Sequence, residues 1–440
     1  MTQSSSSGRI SRRSLVRGAA YGAGVLALPG MVAACDSGGG KGGTSGGRQT
    51  ITLGSNYSDP LPEKGLADAM AAYQAKSGNT VRINTVEHDS YQLNITRYLA
   101  GSPDDVVSWF AGYQMRSFAA RGYAADISDL WSRFRGFNDA LKAASTGADG
   151  KQYFVPWYYY PWALFYRKST FRQKGYTPPA TWDDLIRLVQ QIRKDGGIPL
   201  GLCDKDGWPA MGTFDYINMR ANGYQFHVDL MAGRESWTDP RVKNVFGLWS
   251  TLFPYYNQGA NDLTWQELGQ RYADKQVAMV VFGTPHVGQQ IPADQASDIG
   301  AVPFPQIDPA NARDSVEAPI DGFMLAKKAR NTDGARDVLK FIATREAENA
   351  YLRSDSNNIA VNSGADTSGY NALQKVAVDL ISGARHVSQF LDHDTRPDFA
   401  QTVALPGIQS FINNHSPSDV DALCASLEAQ KKSIFSTPVS

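Results

Sequence analysis

Short strand-like and helix-like segments alternate in this 440-residue chain after residue 49, and this alternation constrains the fold more than any other feature. Residues 51–53 and 81–86 have the pattern of strands, whereas residues 66–76 and 93–99 carry apolar residues at helical spacing. A short apolar strand, Val106-Val107, follows. This βαβα order predicts α/β layers with mostly parallel strands.

Further helices are predicted downstream. Thr181-Trp182-Asp183-Asp184 begins an amphipathic helix that runs to about Arg193, because the threonine hydroxyl can cap it and the two acids suit the positive end of its dipole. Residues 332–351 have the pattern of a helix pair, and residues 418–435 that of the last helix.

The most unusual segment is residues 153–166, in which nine of fourteen residues are aromatic. Its two prolines predict that residues 157–160 lie outside a central strand ladder. We expect Phe154, Leu164 and Phe165 to pack in a core. Tyrosine and tryptophan combine an apolar face with a polar tip, which suits the C–H faces and hydroxyl edges of sugars. Residues 157–162 are therefore predicted to form a binding surface, with core packing as the alternative.

The N-terminus has the three parts of an export signal. Arg9, Arg12, Arg13 and Arg17 precede an uncharged run too short to span a bilayer. Residues 11–16 resemble a twin-arginine motif, and Val32-Ala33-Ala34-Cys35 resembles a lipobox, in which Cys35 is acylated. We expect residues 1–34 to be the signal and 35–49 the lipidated cysteine with a Gly/Ser-rich linker. The protein would then be anchored on the outer face of a bacterial membrane; an untethered secreted protein is the alternative.

Composition bounds the partners. Removing residues 1–34 removes four arginines and no acids, so Lys+Arg falls from 43 to 39 against 43 Asp+Glu, a net charge of about −4. This balance argues against nucleic acid as a partner. The mature chain is long enough for two domains. Cys203 and Cys424 could pair or remain buried thiols, and no metal-type spacing occurs, so neither a metal nor a cofactor is expected.

Several blocks, in order and over nearly the whole mature chain, resemble the carbohydrate-binding group of extracellular solute-binding proteins of ABC importers, which includes maltose-binding proteins. They are Asp105-Val106-Val107-Ser108-Trp109, residues 118–130, residues 150–156, residues 164–185, residues 272–284, residues 321–326 and residues 335–344. The chain departs from the pattern at Arg167, where asparagine is usual, at His286, where a binding tryptophan is common, and at residues 274–276, which replace a small-residue turn.

The resemblance implies a two-lobed periplasmic-binding-protein-like α/β fold, in which each lobe is a mixed sheet flanked by helices and hinge strands join the lobes. It implies an N-terminal lobe of residues 50–158 and 323–383 and a C-terminal lobe of residues 159–322 and 384–440. Chain crossings are expected near residues 158–161, 320–323 and 383–388. Such a protein is a monomer that closes on one solute and delivers it to ABC permease subunits.

Binding residues are implied position by position. Trp109 matches an aromatic ligand contact, and Ser55, Asn56 and Tyr57 match a polar loop that faces the ligand. Tyr158 and Tyr160, with the adjacent Trp157, lie in the segment between the lobes, and Tyr160 stands where a carboxylate often binds sugar hydroxyls. The weaker candidates are Trp208, for which lobe packing is equally expected, His286, whose alternative is a plain loop histidine, and Asp321, Gly322 and Phe399.

The expected cargo is a di- or oligosaccharide, because several aromatic faces serve several rings. Two alternatives remain: a non-sugar solute, such as a polyol, a glycerol-phosphate ester or a peptide, and a glycoside hydrolase, which needs two carboxylates flanking the scissile bond. Asp183 and Asp184 read as helix caps, and Asp204 and Asp206 read as loop residues not tied to the aromatic segment. Hydrolase and nucleotide-binding motifs are absent from the sequence, so an enzyme is not expected.

Overall fold

Two mixed β-sheets, each covered by helices, organise the computed structural model, which describes residues 48–311 and 315–436. Arg48–Ser440 forms one compact unit. The predicted export signal, the lipidation site Cys35 and most of the linker lie outside the described residues. The structure therefore describes the globular part of the chain, and the anchoring prediction stays a prediction.

The strands are β1 (Thr50–Ser55), β2 (Thr80–Thr85), β3 (Val106–Phe110), β4 (Phe154–Tyr159), β5 (Trp162–Arg167), β6 (Leu200–Gly201), β7 (Met279–Gly283), β8 (Ile299–Val302), β9 (Ser315–Glu317), β10 (Ile320–Leu325), β11 (Ile359–Ala360) and β12 (His386–Ser388).

The α-helices are α1 (Pro60–Ser77), α2 (His88–Ala100), α3 (Tyr113–Ala120), α4 (Ser128–Trp131), α5 (Asp139–Ala144), α6 (Lys168–Lys174), α7 (Trp182–Lys194), α8 (Met211–Asn222), α9 (Tyr224–Met231), α10 (Pro240–Ser250), α11 (Trp265–Ala273), α12 (Thr284–Gln290), α13 (Thr332–Ile342), α14 (Arg345–Leu352), α15 (Ala372–Ser382), α16 (Leu391–Asp394), α17 (Pro397–Phe399), α18 (Leu405–Asn413) and α19 (Pro417–Ser436). Short 3₁₀ turns occupy Phe253–Tyr255, Ala260–Asp262, Ala293–Asp298 and Pro309–Asn311, and Ala400–Ala404 is a π-helical turn.

The first sheet has the strand order β11-β4-β10-β3-β1-β2. β1 pairs in parallel with both β2 and β3, as the βαβα pattern predicts, because helices α1 and α2 cross over between them. β10 enters antiparallel between β3 and β4. Residues from distant parts of the chain thus complete the first lobe.

The second sheet has the order β6-β7-β5-β8, and β9 and β12 form a separate parallel pair. The chain leaves the first sheet at Tyr159 and enters the second at Trp162. It returns when β9 ends at Glu317 and β10 begins in the first sheet at Ile320. The two-lobed α/β fold with hinge strands is therefore confirmed.

Helix α7 begins as its sequence predicts. The Thr181 hydroxyl accepts a hydrogen bond from the Asp184 backbone N–H, and the Asp184 carboxylate accepts one from the Thr181 N–H, so the two residues form a capping box. Buried Leu185, Leu188 and Ile192 then follow at helical spacing. Helices α13, α14 and α19 also lie where the sequence predicts them.

The prediction that residues 157–160 avoid a central ladder is wrong for most of that segment. β4 lies between β10 and β11 and is therefore an inner strand. The register pairs Tyr158 with Asp321 and Pro156 with Gly322, so Trp157 is an extra residue on β4. This bulge lets an inner strand contain a proline, since the ladder is already interrupted there.

Asp105 joins three parts of the first lobe. Its carboxylate accepts hydrogen bonds from the backbone N–H and the hydroxyl of Thr52 on β1, and from the backbone N–H groups of Arg330 and Asn331 before α13. Burial raises the pKa of this carboxyl, but these donors outweigh burial and lower it. A carboxylate immediately before β3 thereby connects the first strand to the start of a later helix.

The two remaining cysteines are unpaired. Cys203 and Cys424 are both buried free thiols, so of the two alternatives open in the sequence the disulfide is not formed. Within residues 48–311 and 315–436, no helix is long and apolar enough to cross a membrane.

Candidate functional site

A cavity of about 240 Å³ lies where loops of the two lobes meet. Its wall is formed by Ser58, Asp59, Glu87, His88, Asp89, Gln92, Phe110, Tyr160, Trp162, Asp206, Trp208, Thr264, Trp265, Gln266, His286, Phe390, Asp392 and His393. The first sheet supplies the residues that follow β1 and β2 and the end of β3. The carboxyl ends of parallel strands meet at one edge of a sheet, where ligands of α/β proteins bind.

The second lobe supplies an aromatic wall. The ring centroid of Trp162, at the start of β5, lies 4.7 Å from that of Phe390 and 6.3 Å from that of Trp208, to which it is nearly perpendicular. His286 lies 5.3 Å from the ring of Trp208. Rings held by one another in this way are rigid, so they present a fixed apolar surface to a ligand.

Contacts between the lobes close the cavity. Phe110 at the end of β3 stacks on His393 of α16 with centroids 3.8 Å apart and ring planes inclined by 12°. At the rim, the indole N–H of Trp208 donates a 3.2 Å hydrogen bond to the Asp89 carboxylate on α2. The cavity is therefore bounded by both lobes, and a solute inside it would contact both.

Carboxyl groups dominate the polar part of the wall. Burial and the neighbouring Glu87 raise the pKa of Asp89 to about 6. Burial, and then Asp89, raises the pKa of Asp206. Burial is the main reason why the pKa of Asp59 is raised. Burial likewise raises the pKa of Asp392 to about 7. Perturbed carboxyl groups gathered in a cleft are typical of a functional site.

Glu87 is the exception among these acids. Burial raises its pKa, but hydrogen bonds from Ser90 and the backbone N–H of Asp89 at the start of α2 outweigh burial and lower it. Glu87 caps this helix, and the positive end of the helix dipole favours its ionised form. It is a fixed negative charge at the cavity.

The three histidines of the wall are held neutral. Burial lowers the pKa of His286 and of His393 to about 3 and also lowers that of His88. A neutral imidazole has one donor and one acceptor nitrogen. At physiological pH these side chains offer hydrogen bonds and ring faces to a ligand without adding positive charge.

Some buried polar atoms of the wall lack a hydrogen-bond partner among the described residues. They include Trp162 Nε1, His393 Nδ1 and Asp392 Oδ1, whose neighbour at 3.4 Å is the Nε2 atom of the neutral His393. Buried polar atoms are nearly always hydrogen-bonded. These three atoms belong to residues that line the cavity, and their hydrogen-bonding capacity is not used by the described residues.

Three of the residues that the resemblance implies line this cavity. Tyr160 and Trp208 lie on its wall, and His286 lies there too, on helix α12 rather than in a plain loop. Asn56 is one contact away: its side-chain nitrogen lies 3.3 Å from His88 Nδ1, and its carbonyl accepts from the Ser108 hydroxyl. Asn56 thus orients a wall residue.

Trp109 lies in the core rather than on the cavity wall, which corrects its implied position. It is 1% exposed and packs against Tyr91, Phe110 and Phe118, with centroids 4.8 to 6.2 Å away. The next residue, Phe110 at the end of β3, is the one that lines the cavity.

The remaining implied residues also lie in the interior. Tyr158 stacks on Tyr351 at 5.2 Å and donates a 2.8 Å hydrogen bond to Asp321, which binds these two neighbouring strands together. The other interior residues are Ser55, Tyr57, Trp157, Gly322 and Phe399. A Cβ atom at Gly322 would lie 2.1 Å from the Val155 carbonyl oxygen, so close backbone approach explains this glycine.

Sequence reasoning missed most of the wall. Soon after β1 comes Asp59, and after β2 come Glu87, His88 and Asp89. Their position after the carboxyl ends of parallel strands is the sequence feature that could have identified them as wall residues. Asp206, expected to be a loop residue separate from the aromatic segment, lies on the same wall as Tyr160 and Trp162. Phe390, Asp392 and His393 follow β12, and no local pattern marks them.

A two-lobed α/β binding protein with a polar and aromatic cleft is the class that fold and site define. A family model of bacterial extracellular solute-binding proteins matches residues 57–349, and the chain belongs to this family. The chain is 42% identical to the bacterial solute receptor AcbH, with a TM-score of 0.85 and coverage of 88% of this chain and 100% of that chain. AcbH is described as having an exclusive substrate preference for β-D-galactopyranose.

Other relatives are more distant. A chitin oligosaccharide binding protein is 19% identical, with a TM-score of 0.78 and coverage of 88% of this chain and 99% of that chain, and it shares the fold. An uncharacterized ABC transporter extracellular-binding protein of Pyrococcus horikoshii is 26% identical over 292 residues, 65% of this chain and 64% of that protein. The chain thus spans slightly less than two thirds of the length of that relative.

Proposed function

We propose that this protein is the substrate-binding component of an ABC importer and that it captures a single sugar ring in the cavity between its lobes. The observation that carries the proposal is the cavity wall, where aromatic rings line the same space as carboxyl and imidazole groups. Sugar rings have apolar faces and hydroxyl edges, so this wall matches both sides of a pyranose. The 42% identity to AcbH, described as preferring β-D-galactopyranose, supports a hexose as the cargo.

Cavity size favours one ring over several. A volume of about 240 Å³ lies below the range of roughly 300–1,000 Å³ usual for ligand sites. The proposal therefore departs from the di- or oligosaccharide expected from aromatic density. The difference arises because Trp157, Tyr158 and Tyr351 pack together in the interior instead of offering further stacking faces.

Within the site we assign different roles to the two kinds of wall. One of Trp162 and Trp208, whose rings are nearly perpendicular, stacks on the face of the sugar ring and the other bounds its edge. Asp392 accepts hydrogen bonds from ring hydroxyls through its unpartnered oxygen. A hydrogen bond from a hydroxyl favours the ionised carboxylate, so sugar binding lowers the raised pKa of this group. Tyr160 and His286 complete the wall beside the rings.

The lobes act as two bodies joined by hinge strands. We propose the predicted boundaries, residues 50–158 with 323–383 and residues 159–322 with 384–440, adjusted so that the whole of β4 and β10 belongs to the first sheet. A sugar that touches both lobes favours the closed form by its differential affinity. The closed, loaded protein is then recognised by membrane permease subunits.

Membrane attachment is part of the proposal and rests on the N-terminal sequence. Acylation at Cys35 would anchor the protein outside the membrane, and residues 36–48 would act as the tether. Cys35→Ser should move the protein from the membrane fraction to the medium, and Arg12→Lys with Arg13→Lys should reduce export. Full membrane retention of the Cys35→Ser protein would contradict the anchor.

Thermal unfolding of the purified protein against a panel of monosaccharides, disaccharides and non-sugar solutes tests the function. A ligand at 100 times its Kd stabilises the folded state by about 2.7 kcal/mol. We expect galactose or a related hexose to raise the melting temperature, and disaccharides to have less effect. A panel in which only non-sugar solutes stabilise the protein would overturn the proposal.

A further inference from the structure

The cavity wall carries five carboxyl groups, and none of the described residues that line it is a lysine or an arginine. The acids are Asp59, Glu87, Asp89, Asp206 and Asp392. The three wall histidines are neutral, because burial lowers their pKa. Lys205 lies beside Asp206, but it is exposed and does not line the cavity, and burial and Asp89 outweigh its charge so that the pKa of Asp206 is raised. The solute site is therefore negatively charged.

These acids come from both lobes and repel one another. Asp89 belongs to α2 of the first lobe and Asp206 to a loop of the second, and Asp89 is the second cause, after burial, that raises the pKa of Asp206. Glu87 acts on Asp89 in the same way. Closing the lobes on a neutral solute keeps these like charges together in a partly dehydrated space, which is unfavourable unless protons or a cation neutralise them.

The second observation is the unpartnered carboxyl oxygen of Asp392. This residue is 1% exposed, and its Oδ1 atom has no hydrogen-bond partner among the described residues. A buried carboxylate is stabilised by a positively charged donor more than by a neutral one, since the opposite charge adds Coulomb attraction to the hydrogen bond. A donor that also carries positive charge would satisfy this oxygen and offset the excess of acids.

We infer that the cavity binds an amino sugar, with its protonated amino group held among the carboxylates and its ring against Trp162 and Trp208. The inference rests on the proposed function, because it uses the same cavity and the same ring-binding wall. An ammonium group provides three donors and one positive charge, which matches the acceptors that surround it. By the same reasoning, sugar acids and sugar phosphates are excluded from this site.

A neutral sugar is the competing ligand, since hydroxyl groups also donate to carboxylates. The two ligands differ in their response to charge. Asp206→Asn and Asp89→Asn each remove one negative charge but keep a carbonyl acceptor. In Asp89→Asn this carbonyl can still accept the hydrogen bond from the Trp208 indole. Loss of charge weakens an ammonium ligand more than a hydroxyl ligand, so the ratio of the two affinities separates the cases.

Titration calorimetry with D-galactosamine, D-galactose and D-galacturonate on the purified protein tests the inference. We expect D-galactosamine to bind at least as tightly as D-galactose, and D-galacturonate to bind at least a hundredfold more weakly. In Asp206→Asn the ratio of galactosamine affinity to galactose affinity should fall about tenfold, which is about 1.4 kcal/mol. Asp89→Asn provides a second, independent site for the same measurement.

Asp294→Asn is the matched control, because this exposed acid does not line the cavity and its removal should leave the ratio unchanged. Binding of galactose with galactosamine at least tenfold weaker would overturn the amino-sugar inference and leave the proposed function intact. Equal ratios in the wild-type protein and both wall variants would also overturn it. Failure of both sugars to bind would instead contradict the proposed function itself.

Discussion

Trp109 and Trp208 are predicted to respond in opposite ways to truncation. Trp109 is 1% exposed and packs against three aromatic rings of the first lobe. Replacing a buried tryptophan by alanine costs about 3–5 kcal/mol, because the removed atoms lose their burial and leave a cavity. The unpartnered indole nitrogen of Trp109 leaves no hydrogen bond to lose, so packing accounts for the whole cost.

Trp208 is only half-buried and lines the cleft, where it donates to Asp89. Truncation of a binding anchor usually costs about 1–3 kcal/mol of affinity, or roughly 5- to 150-fold. Trp208→Ala should therefore weaken sugar binding by this factor and lower the stability of the sugar-free protein by much less than Trp109→Ala does. The lost indole N–H also removes a contact between the lobes.

Urea denaturation followed by circular dichroism, without sugar, measures the stability of both variants, and calorimetric titration measures their affinity. We expect Trp109→Ala to lose about 3–5 kcal/mol of unfolding free energy while the protein that remains folded binds sugar normally. A stable Trp109→Ala protein with greatly weakened binding would refute this reasoning and restore Trp109 to the ligand site. A Trp208→Ala protein with unchanged affinity would remove Trp208 from the site.

Three further predictions follow from the contacts described above. Asp321 and Asp392 each have a pKa raised to about 7 by burial, so the folded state holds their protons more tightly than the unfolded state does. The free energy of unfolding should therefore fall as pH rises from about 4 to 7, by up to about 1.4 kcal/mol per pH unit for each group. Urea denaturation at several pH values should show that the unfolding free energy of Asp321→Asn depends less steeply on pH than that of the wild-type protein. Identical slopes for the two proteins would refute this prediction. Asp105→Asn directs an amide nitrogen at backbone donors and should cost at least about 1.5–3 kcal/mol of unfolding free energy, checked by urea denaturation against Asp294→Asn as control. Sugar should reduce the radius of gyration in solution scattering if the free protein is open, whereas tight binding with an unchanged profile would indicate that the lobes are closed without sugar.

The fold was predictable because its signals are local. The capping box at Thr181 and Asp184, the alternation of residues 81–86 and the helical spacing of residues 66–76 act within a few residues, and the structure follows them. The failure at β4 has a physical reason that the sequence does not contain. Pro156 is accepted in an inner strand only because β10, 164 residues away at its Ile320 start, pairs with it across a bulge.

The site was less predictable because it is assembled from distant segments. Tyr160 and Trp162 were found through the density of aromatic residues, but that density did not indicate that Trp157 would face the interior. Phe390 and His393 follow β12, far along the chain, and reach the cavity because this segment packs against the end of β3, where His393 stacks on Phe110. A single residue separates core from cavity in β3, since Trp109 is buried among aromatic rings while Phe110 at the end of the strand lines the cavity.

Diffraction from crystals of the protein grown with D-galactose or D-galactosamine tests the central claim most directly. The account predicts electron density for one sugar ring inside the cavity, stacked on Trp162 or Trp208, with Asp392 Oδ1 within hydrogen-bond distance of a ring substituent. Calorimetry on the same preparation must show saturation at the crystal concentration. Sugar density outside this cavity in a saturated protein would contradict the assignment of a single-ring site between the lobes. Density for two or more rings in this cavity, in crystals grown with a longer saccharide, would contradict it as well.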